Sequence, residues 1–122
     1  MKTVLVVDGA NVVGARPDGW WKDRAGAARR LHEQLAVADL SYDVVLLVLE
    51  GAAKGGIPAG HDGHLVTVHA PRDGDTTITT EARTAAERGD QVTVITADRL
   101  LESAVQATGG STMSPSWLLD QL

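Results

Sequence analysis

Residues 3–11 read Thr-Val-Leu-Val-Val-Asp-Gly-Ala-Asn, an apolar run that ends in an aspartate and a glycine. Two further runs, Val44–Leu49 and Val92–Thr96, share its β-branched, nearly continuous apolar character. Such runs are typical of strands buried on both faces, as in a parallel sheet that helices cover on each side. The three runs therefore predict the centre of an α/β fold, with the strand at 3–7 in the middle.

Helical patterns alternate with these strands and complete the prediction. Weaker strands are expected at His64–His69 and Gly110–Met113, and the Gly51–Gly63 stretch, with five glycines and a proline, is expected to be a loop. Helices are expected over Asp23–Ala38, Asp75–Arg88 and Asp98–Ala107, and from Ser114 onward. Strands that alternate with helices imply right-handed βαβ units. We expect a three-layer, doubly wound, mainly parallel sheet with strand order 3-2-1-4-5.

Length, charge and composition narrow the class of protein. The 122 residues fit one domain spanning 1–122, and 11 basic against 16 acidic residues leave a net charge of −5. That charge argues against a surface that binds nucleic acid everywhere, although a local basic face is compatible with it. The absence of cysteine excludes disulfides, thiol nucleophiles and cysteine-bound metals. No apolar run could span a bilayer, so we expect a soluble cytoplasmic protein, monomeric or a small homo-oligomer, that binds no membrane.

Acidic residues follow the ends of four predicted strands. They are Asp8, Glu50, Asp75 and Asp98. In open α/β sheets, ligands bind at the carboxyl edge where the strand order reverses, which here lies between the strands that precede Asp8 and Asp98. Two carboxylates about 5 Å apart repel by about 3 kcal/mol at an effective dielectric near 20, so such a cluster needs a cation or a proton. Oxygen ligands without cysteine favour Mg²⁺ or Mn²⁺, the ions of metal-assisted phosphodiester hydrolysis.

Each acidic residue also has a purely structural interpretation. Asp75 and Asp98 begin predicted helices, where aspartate is a favoured N-cap. Glu50 fits a solvated strand end better than a metal ligand. Asp8 is the hardest to explain structurally, because a carboxylate at the end of a buried strand needs a partner.

Four blocks of sequence carry a family resemblance. They read Val-Val-Asp-Gly-Ala-Asn-Val-Val-Gly (6–14), Gly-Trp-Trp-Lys-Asp-Arg-Ala-Gly-Ala-Ala (19–28), Gly-Asp-Thr-Thr-Ile (74–78) and Val-Ile-Thr-Ala-Asp-Arg (94–99). In this order the blocks resemble the NYN domains of the PIN-like nuclease superfamily, and most closely the YacP-like branch.

The resemblance implies a PIN-like fold and a metal-dependent ribonuclease. It assigns Asp8, Asp75 and Asp98 to the metal-binding set, with Asn11 and Thr96 as polar support that orients a ligand or a water. This family often has two adjacent aspartates after the glycine of the third block, whereas here the second position is Thr76. An alternative is therefore a weakened metal site, in which Asp73 partly replaces the second aspartate.

A basic segment follows the first acidic strand end. Residues 16–30 hold five basic residues against two acidic ones, with two tryptophans among them. Basic residues can hold phosphates, and aromatic rings can stack on unpaired bases. The candidate substrate-binding residues are Arg16, Trp20, Lys22, Arg24 and Arg99. The alternatives are a tryptophan packed over the sheet edge, a solvated arginine face, and a structural ion pair of Arg24 with Asp23 or with the acidic residues at the strand ends.

The remaining histidines and motifs carry weaker signals. His61 and His64 have a spacing that could bind zinc, and His69 ends a strand at the acidic edge, but a structural role is favoured for all three. A receiver-type domain would need a lysine after its last strand, and a nicotinamide-binding fold would need Gly-x-Gly-x-x-Gly after strand 1. Neither is present. The leading hypothesis is a Mg²⁺- or Mn²⁺-dependent ribonuclease, and the alternative is a non-catalytic RNA-binding module on the same fold.

Overall fold

A computed structural model describes all 122 residues as a sheet with helices on both faces. The strands are β1 (Thr3–Asp8), β2 (Val44–Leu49), β3 (Gly60–Asp62), β4 (Leu65–His69), β5 (Gln91–Ile95) and β6 (Ser111–Met113). The helices are α1 (Gly9–Gly14), α2 (Arg24–Val37), α3 (Gly74–Glu87), α4 (Arg99–Ala107) and α5 (Pro115–Leu119). Short 3-10 helices cover Trp20–Lys22 and Gly51–Gly56.

The sheet has the order β3-β4-β2-β1-β5-β6 and is parallel except for β3. The five predicted strands correspond to β1, β2, β4, β5 and β6. The predicted order 3-2-1-4-5 is therefore confirmed, and β1 lies at the centre. The chain reverses its winding direction between β1 and β5, so that their carboxyl ends border one crevice.

Two short elements differ from the sequence prediction. The expected loop at 51–63 contains a 3-10 helix and the edge strand β3, which pairs antiparallel with β4. All three residues of β3 are exposed, so this strand has no apolar pattern that could reveal it. The helix α1, directly after β1, was not predicted either, because six residues are too short for a helical period.

Alternate residues of β1 point into two separate cores, as the strand geometry requires. Leu5 and Val7 pack with α1, α2 and α5, whereas Val4 and Val6 pack with α3 and α4. The burial of every apolar β1 side chain explains the continuous apolar run. The longest helices, α2 and α3, have 14 residues each, and none has the length and hydropathy of a membrane span.

Candidate active site

Asp8 ends the central strand and caps α1. Its side chain is buried, with 3% of the residue exposed. One carboxylate oxygen, Oδ2, accepts hydrogen bonds from Thr96 Oγ1 at 2.8 Å and from Asn11 Nδ2 at 2.6 Å. The other, Oδ1, accepts from the Asn11 backbone N–H at 3.3 Å. Burial raises the pKa of Asp8 above its usual range, while the hydrogen bonds from Thr96 and Asn11 partly oppose that rise.

Thr96 and Asn11 also connect Asp8 to the segment between β5 and α4. Thr96 Oγ1 accepts a hydrogen bond from the Asp98 N–H at 3.1 Å, and Asn11 Oδ1 accepts one from the Ala97 N–H at 3.3 Å. Each side chain therefore bridges two segments that are far apart in the sequence. This bracing holds the backbone of Asp98 in a defined position beside Asp8.

Asp98 is the N-cap of α4. Its Oδ1 accepts hydrogen bonds from the backbone N–H groups of Leu100, at 2.9 Å, and Leu101, at 3.1 Å. The capping interpretation is thus confirmed for Asp98. Both capping bonds use the same oxygen, so Oδ2 is available for a further partner.

Asp75 does not cap α3, so its capping interpretation is wrong. The helix begins one residue earlier, at Gly74, and its cap is Asp73, which accepts hydrogen bonds from the Thr76 N–H at 2.8 Å and the Thr76 hydroxyl at 3.1 Å. These bonds lower the pKa of Asp73. Asp73 is committed to the cap, which argues against its replacing a missing metal ligand. Asp75 lies in the first turn of the helix, and no backbone N–H occupies its carboxylate.

The four acidic side chains predicted at this edge influence one another. Partial burial is the main cause that raises the pKa of Asp75 to about 6, followed by the negative charges of Asp98 and Asp8. A hydrogen bond between the carboxyl groups of Asp75 and Asp98 and the charge of Glu50 raise this pKa further. The tertiary structure therefore brings these carboxyl groups into one acidic notch, which we define as Asp8, Glu50, Asp75 and Asp98.

Glu50 has a structural partner that the sequence did not suggest. Its Oε2 accepts a hydrogen bond from the Gly74 N–H at 2.9 Å, at the start of α3. Glu50 therefore holds the helix turn that carries Asp75, and it is more than a solvated strand end.

No three or more His, Cys, Asp or Glu side chains converge closely enough to hold a metal ion between them. Mg²⁺, however, commonly binds proteins through one or two carboxylates and keeps several of its waters. The Asp75–Asp98 pair, with Asp8 and Glu50 nearby, supplies hard oxygen donors of this kind. The donor chemistry of the notch therefore fits a hydrated Mg²⁺ or Mn²⁺ ion.

A cleft of about 450 Å³ lies next to the acidic notch. Trp20, Arg24, Glu50 and Arg72 line it, together with small residues of α1 and of the 3-10 helix that follows β2. The Arg24 guanidinium carbon lies 5.1 Å from the centroid of the Trp20 ring, a cation–π contact. The alternative ion pair between Arg24 and Asp23 does not form, and Asp23 instead caps α2 by accepting a hydrogen bond from the Gly26 N–H.

Of the five predicted substrate-binding residues, Trp20 and Arg24 line this cleft and the other three lie elsewhere. Lys22 is exposed on the 3-10 helix, Arg16 lies beside Asp18, and the exposed Arg99 begins α4. Arg72 is not among the predicted residues, although it follows β4 at the same carboxyl edge as the predicted acidic residues. Its position after a strand end is the signal that could have identified it.

The histidines have no metal-binding arrangement. His69 Nε2 lies 2.8 Å from the Ile57 carbonyl oxygen, a contact that connects the end of β4 to the chain before β3. His61 and His64 belong to no group of side chains that could hold a metal ion. The contact of His69 agrees with the structural interpretation of that residue.

Comparison with known proteins supports the fold class that these features define, a doubly wound α/β protein. No family model matches the chain, and no curated protein matches it by sequence. The chain is similar to the crystal structure of the W164L mutant of Rae1 (YacP) from Bacillus subtilis, with a TM-score of 0.75 and 21% identity over 97% of this chain and 73% of that chain. A second Rae1 (YacP) crystal structure gives a TM-score of 0.72 and 21% identity, over 96% of this chain and 71% of that one. This similarity supports the YacP-like fold that the sequence blocks predict, and it concerns the fold alone.

Proposed function

We propose that this protein is a ribonuclease that hydrolyses RNA phosphodiester bonds with the help of Mg²⁺ or Mn²⁺ in the acidic notch. The observation that carries the proposal is the gathering of Asp8, Glu50, Asp75 and Asp98 at one edge of the sheet, where Thr96 joins Asp8 to the backbone of Asp98 and Glu50 binds the first turn of α3. Partial burial, and after it the charges of Asp98 and Asp8, raise the pKa of Asp75 there to about 6. Carboxyl groups with raised pKa values gathered in a crevice are common at functional sites. The four sequence blocks and the structural similarity to Rae1 (YacP) support the same proposal.

Asp75 and Asp98 are the proposed principal ligands of the cation, with Asp8 beside them. Without a cation, the hydrogen bond between Asp75 and Asp98 requires a proton on one of the two carboxyl groups. Loss of that proton frees oxygens of both groups for a cation. When bound, a divalent ion would activate a water and offset the negative charge on the attacked phosphate.

The neighbouring polar residues keep these ligands in place. Thr96 and Asn11 each donate a hydrogen bond to Asp8 Oδ2, which favours the ionised form of this buried carboxylate. Glu50 holds the first turn of α3, and the cap at Asp98 holds the first turn of α4. These contacts orient the three aspartates before a substrate arrives, as a preorganised site requires.

The RNA strand is proposed to run from the cleft toward the exposed basic residues. Trp20 and Arg24 would contact it next to the notch, whereas Arg16, Lys22 and Arg99 would contact phosphates farther away. Basic residues are needed because the notch itself repels a polyanion. We propose that the protein acts on cytoplasmic RNA, as a monomer or a small homo-oligomer.

A cleavage assay tests this proposal. Labelled RNA is incubated with the protein and Mg²⁺ or Mn²⁺, with EDTA, or with Asp8→Asn in the presence of the metal. Asp120→Asn is a matched control, because Asp120 is an exposed residue at the end of α5. We expect cleavage by the wild type and Asp120→Asn with metal, and none with EDTA or with Asp8→Asn. Equal cleavage in all samples would contradict the proposal.

One observation favours a second candidate, a non-catalytic RNA-binding module. Thr76 stands where the family often has a second aspartate, and its hydroxyl donates to Asp73 without adding a carboxylate to the notch. This candidate predicts RNA binding without turnover, and binding that Asp98→Ala leaves unchanged. Metal-dependent cleavage that Asp98→Ala abolishes would exclude it.

A further inference from the structure

The cleft beside the notch is continuous with the acidic residues. Glu50 lines the cleft and also acts electrostatically on Asp8 and Asp75. Gly9 and Ala10, which line another side, follow Asp8 directly in the chain. A group bound in the cleft is therefore an immediate neighbour of whatever binds to the acidic notch.

The cleft carries two arginines that have no ion-pair partner. The protein has two ion pairs, Arg30–Asp18 and Arg88–Asp90, so neither Arg24 nor Arg72 is neutralised by a carboxylate within ion-pair distance. They come from separate segments, Arg24 from the start of α2 and Arg72 from the connection between β4 and α3. The two arginines outnumber the single carboxylate that lines the cleft, Glu50, so the charged lining residues carry a net positive charge that complements a negatively charged ligand.

The contact between Arg24 and Trp20 adds a flat surface. The Arg24 guanidinium carbon lies over the indole ring of Trp20, 5.1 Å from its centroid, so this cation–π contact keeps the planar guanidinium beside the aromatic ring. Nucleic-acid bases stack on arginine planes as well as on aromatic rings. Small residues on the other walls, Gly51, Ala52 and Ala53, leave the space beside this surface open.

We propose that the cleft binds one unpaired nucleotide of the RNA, next to the phosphate that lies in the notch. Its base stacks on Arg24, which Trp20 supports, and a phosphate of the same strand pairs with Arg72. This inference rests on the proposed ribonuclease function and adds a subsite that selects unpaired RNA. A paired base is already stacked between its neighbours, so it reaches Arg24 only by leaving the duplex. Because stacking tolerates every base, this subsite selects unpaired structure more than base identity.

Binding measurements on a cleavage-silent background test the subsite. The Asp8→Asn protein with Mg²⁺ is titrated against two fluorescein-labelled probes, a single-stranded oligoribonucleotide of about eight residues and a duplex of the same length. Arg24→Ala and Arg72→Ala are each added to this background. The matched control is Arg83→Ala, which removes an exposed arginine of α3 that makes no ion pair.

We expect the single strand to bind more tightly than the duplex. Arg24→Ala should weaken single-strand binding at least about fivefold, the lower range for loss of one stacked base. Arg72→Ala should also weaken it, and should reduce the slope of log affinity against log salt by about 0.7, as for one lost phosphate contact. Arg83→Ala should change neither quantity.

The two tryptophans provide a second pair of variants. Trp20→Leu removes the ring beneath Arg24, whereas Trp21→Leu removes a neighbour that is 56% exposed and does not line the cleft. We expect weaker single-strand binding for Trp20→Leu and little change for Trp21→Leu. Because Trp20 also packs against the core, the exposed Arg24 and Arg72 variants decide the outcome if Trp20→Leu fails to fold.

Equal affinity for the single strand and the duplex would overturn the subsite, as would Arg24→Ala and Arg72→Ala variants that bind like Arg83→Ala. The result is separable from that of the cleavage assay. If the wild type cleaves RNA but the cleft variants bind RNA normally, the subsite proposal is contradicted and the ribonuclease proposal stands. Binding that depends on the two arginines, without any cleavage, would support the subsite and remove the ribonuclease.

Discussion

Aspartates at the two edges of the sheet have pKa values that are shifted in opposite directions. At the amino edge, Asp43 accepts hydrogen bonds from the backbone and the hydroxyl of Thr3, and these bonds lower its pKa. At the carboxyl edge, the pKa values of Asp8 and Asp75 are both raised, with burial as the largest cause. Donors match the charge of Asp43, whereas burial and neighbouring carboxyl groups leave the charge of Asp75 uncompensated. The charged form of Asp43 is therefore favoured, whereas the charged forms of Asp8 and Asp75 are disfavoured, which is common for carboxyl groups at functional sites.

The largest expected effect comes from exchanging one aspartate at each edge. Asp8→Asn should lower ribonuclease activity by more than about a hundredfold, beyond the usual effect of removing an outer-shell partner of a metal site. Asp43→Asn should leave activity unchanged and lower the melting temperature, because Thr3 loses a charged acceptor. Cleavage rates and thermal unfolding of both variants check this prediction. Equal activity of the two variants would contradict the prediction that Asp8 supports catalysis and Asp43 does not.

The second prediction concerns the hydroxyl that joins Asp8 to Asp98. Thr96→Val keeps the shape of the side chain but removes a donor to Asp8 and an acceptor for the Asp98 N–H. We expect activity to fall about 10- to 100-fold, as for loss of an orienting partner, and stability to fall by about 1–3 kcal/mol. Thr67→Val, at a buried position of β4 away from the notch, is the matched control. If both valine variants retain activity, Thr96 does not position the site.

The third prediction tests the close packing behind Asp8. A Cβ atom on Gly9 would lie 2.6 Å from the Val48 carbonyl oxygen, so Gly9→Ala forces α1 away from β2. We expect the free energy of unfolding to fall by about 1–3 kcal/mol, as in other overpacked interiors. Gly14→Ala, whose Cβ would be 3.9 Å from the Trp20 ring, should not be destabilising. Chemical denaturation of both variants measures the difference, and similar losses would show that the approach at Gly9 is not special.

The smallest effect is the dependence of stability on pH. The folded-state pKa of Asp75 is raised from 3.8 to about 6, so its protonated form favours folding. Its contribution is therefore fully present below pH 3.8 and is lost as the pH rises through about 6. Relative to Asp75→Asn, the wild type should lose stability between pH 4 and pH 7 in the absence of divalent ions. Denaturant unfolding at several pH values measures this loss, and parallel curves for the two proteins would contradict it.

Sequence patterns predicted the parallel sheet of this protein and two of the residues that line the cleft. Continuous β-branched runs identified β1, β2 and β5, because a strand buried on both faces has no polar positions. The short elements α1 and β3 were not predicted, because neither is long enough to show a hydrophobic periodicity. In the cleft, Trp20 and Arg24 were selected from a local basic and aromatic cluster, whereas Arg72 stands alone in the sequence.

The caps of two helices show where local patterns become ambiguous. Asp73 and Asp75 are both plausible N-caps for α3, and Asp75 was the predicted one. The structure uses Asp73, because its carboxylate reaches the Thr76 N–H and hydroxyl. Asp98, with no competing aspartate nearby, was correctly identified as a possible cap.

The amino-acid sequence by itself determined the five parallel strands, their order and the edge at which the acidic residues lie. The burial pattern of a strand is visible within a single segment of sequence. The chain topology follows from the order in which strands and helices succeed one another. Only the tertiary structure decided that Glu50 binds Gly74, that Thr96 links Asp8 to Asp98 and that Arg24 and Arg72 share a cleft. Those contacts join residues distant in the chain, and their distances depend on how every intervening element packs.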